Sequence, residues 1–197
     1  KLSVLSKKNG ELSYWTWDLD YVALCKKWNL IHWIPEEFRT SLDDVESGTI
    51  VIWSDLDRII PTNTSKNNEA MKERFSRSLE KVRGHISMTF HRFIEDKILS
   101  IVWGSQAITP WNPFCQDESK RQTFPDDHLP GNVIMKGFVL PHKANFSTER
   151  AYSIAEGPKG WSGQQGFYVY RGKRLLLAGD WLGLFRKEEH YKLARIM

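Results

Sequence analysis

The amino-acid sequence predicts a mixed α/β (α+β) fold, and three observations lead there. Residues 2–5 and 12–17 are β-like runs joined across Asn9-Gly10, the strongest short-range hairpin signal. Residues 166–171 and 174–178 repeat the pattern across Gly172-Lys173. Between these hairpins Met71, Phe75, Leu79, Val82, Ile86, Phe90 and Phe93 recur every three or four residues, the spacing of one face of an α-helix. In 197 residues of which 41% are hydrophobic, such elements can bury a core as one large domain or two small ones.

The opening hairpin is followed by residues 18–28, a mixed stretch expected to be helical in part. Pro35 has a fixed φ that suits the first turn of a helix over residues 35–38. Residues 49–53 are a β-branched run, and Gly48 before it lets backbone or ligand come close. Residues 61–65 make a loop. The periodic segment after it is one long helix, or two that meet near Gly84. Residues 98–103 read as a strand, Gly104 and Ser105 as a turn, and residues 106–108 can pair back. Residues 110–130, polar and rich in proline and aspartate, read as a loop long enough for a functional excursion. Residues 133–141 are a strand, and Ser147 is placed to cap a short helix over residues 148–154. Gly157, Gly160, Gly163 and Gly166 then lead into the second hairpin, whose tip gathers Arg171, Lys173 and Arg174.

Composition narrows the function classes. No run approaches the roughly 18 apolar residues of a membrane span, and the opening KLSVLSKKNGE lacks the apolar core of a signal peptide. The expectation is a cytoplasmic protein without membrane contact. Cys25 and Cys115 have no histidine or cysteine at ligand spacing and are expected as buried free thiols. A formal charge of +4 and an isoelectric point near 9.0 permit an anionic partner without requiring one. Most of the nine tryptophans are expected in the core. The chain begins at Lys1 rather than methionine and ends at Met197 within an apolar stretch, which reads as a piece of a longer protein.

No catalytic or metal-ligating set emerges. His85 and His91 are six residues apart, on different faces of a helix. Asp126-Asp127-His128 and Glu188-Glu189-His190 read as solvated charge, and the pairs Asp18 with Asp20 and Asp55 with Asp57 as turn makers at strand ends. There is no serine elbow, no cysteine beside a base and no Walker-type loop, and glycines spaced by three do not match a dinucleotide fingerprint. Arg74, Arg77, Lys81, His85 and Arg92 form a basic row beside the apolar one, and Glu73 can pair with Arg77 four residues on. Such a row is either a solvated face or a phosphate-binding one.

The order of elements resembles the middle of a GHKL ATPase, the superfamily of the gyrase B subunit, histidine kinases and MutL, and most closely its MORC-like bacterial branch. Residues 1–20 resemble the strand pair after the second glycine box of the nucleotide-binding domain. Ser47-Gly48-Thr49-Ile50-Val51-Ile52 resembles the last strand of that domain, where the family carries a Gly-Thr pair at the adenine end of the pocket. The resemblance therefore implies Gly48 and Thr49 as nucleotide-binding candidates. Residues 77–108 resemble the start of a MORC-like transducer. GFYVYRGKRLLLAG, residues 166–179, resembles the transducer strand where MutL-type proteins carry a Val-Asn-Gly-Arg turn, a place held here by Tyr170-Arg171-Gly172-Lys173-Arg174.

The implied architecture is the end of a Bergerat-type α/β sandwich over residues 1–62, followed by a ribosomal-protein-like transducer domain with mixed sheet and helices over residues 63–197. The boxes that hold magnesium and adenine would lie before Lys1, and the lysine that reaches the γ-phosphate beyond Met197; neither Lys187 nor Lys192 matches it. The whole protein would then bind and hydrolyse ATP with magnesium, form a homodimer and engage DNA, in repair or in defence against foreign DNA. These 197 residues alone are expected to be inactive and to hold no cofactor. A reading from a different class is a nucleic-acid-binding module that uses Arg74, Arg77 and Lys81 with Arg171, Lys173 and Arg174. A third, a carbohydrate binder, would need an ordered row of exposed tryptophans on one strand face.

Overall fold

The computed structural model describes residues 1–56 and 69–197, and the chain divides into two compact units, Lys1–Phe75 and Ser76–Met197. The expected boundary after residue 62, the loop over residues 61–65 and Asp57 lie outside the described residues. The fold is mixed α/β, as the hairpin and helix patterns predict. Among the described residues no helix is long and apolar enough to cross a membrane.

The first unit is built on its opening hairpin. β1 (Leu2–Lys8) and β2 (Glu11–Trp17) pair antiparallel through Asn9 and Gly10, both at positive φ (50° and 84°), the backbone that a tight two-residue hairpin turn needs. β3 (Gly48–Trp53) adds antiparallel to the other side of β1, giving the order β2-β1-β3. Between β2 and β3 the chain forms α1 (Leu19–Cys25), whose cap Asp18 accepts a hydrogen bond from the Asp20 amide, and a single 3-10 turn at Glu36–Phe38. Pro35 stands just before that turn as its cap.

Strand alternation turns Leu5, Tyr14, Ile50 and Ile52 to one face of this sheet, where Ile34, Phe38 and Leu42 cover them. Ser3 and Thr16 are buried on the same face and are satisfied there. The Ser3 hydroxyl donates to Thr16 Oγ1 at 2.6 Å, and Thr16 in turn donates to the Trp33 carbonyl at 2.6 Å.

α2 (Glu69–Thr89) is continuous past Gly84 and breaks at Phe90, after which α3 (His91–Glu95) begins. Gly84 serves packing instead, since a Cβ there would lie 3.2 Å from Pro158 Cβ. β4 (Val102–Trp103) and β5 (Gln106–Ala107) make the small hairpin around Gly104 and Ser105, shorter than the sequence run implies.

The stretch expected as one long loop contains a strand. β6 (Gln122–Leu129) pairs with β7 (Val133–Val139) at one edge of a sheet, with a register shift between Thr123 and Asp126. All of β6 is exposed, so it has no apolar alternation to betray it, and its Pro125 falls in the irregular part of an edge strand, where a missing N–H is tolerated. α4 (Glu149–Glu156) is capped by Thr148, whose Oγ1 accepts from the Ala151 amide at 3.0 Å, and not by Ser147, which bonds Glu118 through its amide and hydroxyl.

A one-turn helix, α5 (Gly160–Gly163), leads into the hairpin of β8 (Gly166–Arg171) and β9 (Arg174–Asp180). The final strand, β10 (Ala194–Ile196), inserts antiparallel to β7 and parallel to β8, completing a five-stranded sheet of order β6-β7-β10-β8-β9. Met88 of α2 packs with Trp111, Phe114, Phe138, Tyr168, Leu175 and Ala178 as the core of this second unit. Gly157 closes α4 at φ 68° because Trp111 leaves no room, a Cβ there falling 2.2 Å from the indole ring.

Candidate functional site

The face of the three-stranded sheet opposite its core is apolar and open. In register across the strands, Val4 lies between Trp15 and Val51, Leu2 between Trp17 and Trp53, and Ser6 between Ser13 and Thr49. Period-two alternation puts all nine side chains on one face. Trp53 is 70% exposed, Val51 55% and Trp15 46%. Trp17 leans on the ring of Trp28 at 5.5 Å, and Trp28 is itself 80% exposed. Of the nine tryptophans only Trp111 and Trp181 are buried, against the expectation that most are core. Tryptophan is large and rarely fully buried, so its count in a sequence does not place it in a core.

Thr49 stands at the polar end of this open face, with Oγ1 3.0 Å from Ser6 Oγ. Gly48 beside it has a packing reason of its own, because a Cβ would come within 3.1 Å of Leu42 Cδ2. The Lys7 ammonium fastens the same loop by donating to the carbonyls of Leu42 (3.0 Å) and Asp43 (3.1 Å). Asp18 and Asp55 do converge, on the ammonium of Lys1, at 3.4 and 3.2 Å. Among the described residues no three histidine, cysteine, aspartate or glutamate side chains gather as a metal site.

The basic residues fall into two groups. Arg74, Arg77, Lys81 and His85 are exposed on one side of α2. Arg92 lies beyond the break at Phe90 and leaves the row; its guanidinium stacks 3.6 Å above the ring of Tyr170. At the hairpin tip Arg171 is exposed, Lys173 pairs with Asp96, and Arg174 approaches the ring of Phe90 at 5.8 Å. The tip is thus docked on the junction of α2 and α3, with part of its charge neutralised. Lys81 lies about 14 Å up the helix from Phe90 at the usual rise per residue, so row and tip do not merge into one cluster.

That junction contains a polar chain. His91, fully buried, receives the Tyr170 hydroxyl on Nε2 at 2.8 Å and donates from Nδ1 to Glu95 at 3.2 Å, the tautomer an acceptor-only carboxylate requires. Burial pushes the imidazole below its ordinary range, against the pull of Glu95, and drives the Tyr170 phenol well up. In sequence the chain shows only as a His–Glu pair four residues apart, which reads as an ordinary helix-surface contact.

The second unit also holds a cavity of about 1230 Å³, walled in part by Trp111, Phe114, Cys115, Arg121, Phe138 and Phe146. Burial raises the Cys115 thiol to about 11, opposed by the nearby guanidinium of Arg195. Both cysteines are free and half-buried rather than buried.

Against protein-family models, curated proteins and solved structures, the chain finds no match.

Proposed function

We propose that this chain is the coupling part of a GHKL-type ATP-binding protein, the first unit closing the nucleotide-binding sandwich and the second acting as transducer. On this reading the whole protein binds ATP with magnesium and converts nucleotide state into dimerisation and DNA engagement, in repair or in defence against foreign DNA. The observation that carries it is the open face of the three-stranded sheet. A sheet with an apolar face is stable when a second layer buries it, and large contiguous apolar exposure marks a surface made to be covered. In a Bergerat-type sandwich that layer is helical and carries the magnesium and glycine boxes. Thr49, on the same face as Val51 and Trp53, then lies on the nucleotide side of the sheet.

Coupling follows as a shift of populations. Nucleotide that binds a closed arrangement more tightly than an open one selects the closed form, by no more than its difference in affinity for the two. Calorimetric titration of a chain extended at both ends with ATP and magnesium tests the reading. Saturable binding is expected, weakened about tenfold by Thr49→Val through the loss of one hydrogen bond. Absence of binding to the extended chain sinks it.

A second reading, a nucleic-acid-binding module, is favoured by the exposed row on α2. Its signature is affinity that falls steeply with salt, with a slope made shallower by about one on Lys81→Ala. The carbohydrate reading is less well supported. Trp15, Trp17 and Trp53 share a face, yet Leu2, Val4 and Val51 lie between them and supply no polar group to orient a sugar.

A further inference from the structure

The outermost strand of a sheet presents backbone N–H and C=O groups to whatever lies beside it, and folded proteins obstruct such edges against pairing with other chains. Among the described residues the two larger sheets end on β2, β3, β6 and β9. On the outer side of β2 the Thr16 amide and carbonyl are both bonded to Ile31, at 2.9 Å. β6 carries Pro125, Asp126, Asp127 and a register shift. β9 bulges at Leu176 and at Gly179, which sits at φ 62°, and the ammonium groups of Lys159 and Lys187 occupy the carbonyls of Ala178 and Gly179.

β3 has none of these obstructions. Gly48–Trp53 contains no charged residue and no proline, and its pairing with β1 runs without a register shift. The hydrogen bonds of that pairing fix which groups point outward. The Lys1 backbone nitrogen donates to the Ser54 carbonyl at 2.8 Å, and the Ser54 amide donates to the Lys1 carbonyl at 3.1 Å. In an antiparallel ladder such bonded couples alternate with unbonded ones, so Ser3 with Ile52, Leu5 with Ile50 and Lys7 with Gly48 are the next bonded couples. Thr49, Val51 and Trp53 therefore turn their N–H and C=O groups away from β1, and no described strand pairs on that side.

The strand is close to a palindrome about Val51, which has Ile50 on one side and Ile52 on the other. Two copies related by a twofold axis perpendicular to the sheet keep corresponding faces on the same side, so each residue meets one from its own face. Only a register centred on a residue satisfies this. With Val51 opposite Val51, Thr49 meets Trp53 of the second copy and Ile50 meets its Ile52. The outward groups of Thr49, Val51 and Trp53 then face one another, enough for about six backbone hydrogen bonds across the seam. The same register gives neighbours to side chains that are short of them: Val51 is 55% and Trp53 70% exposed, and Ile50 and Ile52 are half-buried at the margin of the core.

We propose that the outer edge of β3 is a self-association site, at which two copies of this chain join their three-stranded sheets into one of order β2-β1-β3-β3-β1-β2. A strand without charge selects no charged partner, and its own sequence supplies the matching β-branched side chains. Pairing consumes the β3 edge of both copies and the outer side of β2 is closed by Ile31, so assembly stops at two. The seam is short, which places it at the weak end of specific interfaces. The inference stands on the edge of the first unit and does not depend on the nucleotide reading, which concerns a face of the same sheet.

Sedimentation velocity of these 197 residues over a range of protein concentration reads the association directly. The expected result is a monomer–dimer equilibrium with a Kd on the order of 10 μM and no larger species. In the unaltered chain, hydrogen exchange at the Val51 amide should slow as concentration rises through that Kd. Val51→Pro deletes the outward N–H at the centre of the seam, where an edge strand tolerates proline, and should weaken the dimer at least about tenfold with the circular dichroism spectrum retained. Trp15→Ser alters the open face on β2, away from the edge, and should leave the Kd unchanged, which separates edge pairing from stacking of the faces. A monomer at about a hundredfold above the expected Kd overturns the proposal. So do growth beyond the dimer, Val51 exchange that ignores concentration, unchanged association in folded Val51→Pro, or equal weakening by Trp15→Ser.

Discussion

The three-stranded sheet buries one face beneath Ile34, Phe38 and Leu42 and leaves Trp15, Val51 and Trp53 open on the other, whereas the five-stranded sheet has aromatic side chains packed against each face. On one side of the larger sheet Phe114 packs on Phe138 and Tyr168; on the other the ring of Trp181 meets Phe167 and is followed by Phe185 and Tyr191. What each unit lacks therefore differs in kind. The first leaves a broad apolar area around Trp15, Val51 and Trp53 uncovered by the described residues. In the second the unmet groups are two N–H groups of the buried Arg195, which have no hydrogen-bond partner among the described residues.

The sharpest way to test this contrast is to remove a core ring from the self-sufficient unit. Phe114→Ala deletes an aromatic side chain that is 2% exposed and should cost about 3–5 kcal/mol in the unfolding transition of the second unit, read by urea denaturation. Trp53→Ser deletes a larger side chain from the open face and should change stability of these 197 residues by no more than about 0.5 kcal/mol. Comparable losses in the two variants would break the comparison.

Between these extremes lies a pH effect. His91 is buried with its proton affinity lowered below the ordinary 6.5, so the unfolded chain takes up a proton there that the folded one resists. The contribution is fully present above about pH 6.5 and is lost as pH falls through the lowered folded value. Denaturation at neutral and mildly acidic pH should show the second unit weakening with acid, and His91→Gln should flatten that dependence. A dependence unchanged in His91→Gln would assign it to other groups. A local effect belongs to the cap of α4, where Thr148→Ala should cost about 1 kcal/mol by the same measurement.

Much of this fold is legible where the signal is local. Asn9-Gly10 and Gly172-Lys173 mark their hairpins because a tight turn makes its backbone demands within two residues. β6 is illegible because an all-exposed edge strand carries no apolar alternation, and QTFPDDHL contains a proline and two aspartates that argue for a loop. The break at Phe90 is hidden because Phe90 and Phe93 continue the apolar spacing of α2 past its end. β10 is hidden for the opposite reason, since an arginine at the centre of a three-residue run reads as surface.

The sites divide along the same line. Gly48 and Thr49 are candidates only through the resemblance in the order of elements, and the structure adds that Thr49 faces the open side. Arg171, Lys173 and Arg174 are visible as a tip, but the pairing of Lys173 with Asp96 and the approach of Arg174 to Phe90 are long-range facts that no local pattern holds. Arg195 gives no signal, because its peculiarity lies in what surrounds it.

Hydroxyl-radical footprinting of Trp15 and Trp53 tests the central claim most directly, comparing these 197 residues with a chain extended at both ends. If the open face is the inner side of a nucleotide-binding sandwich, both tryptophans are oxidised readily here and are strongly protected in the extended chain, with and without ATP. Equal oxidation in the two chains would mean that the face stays open, and would contradict the account.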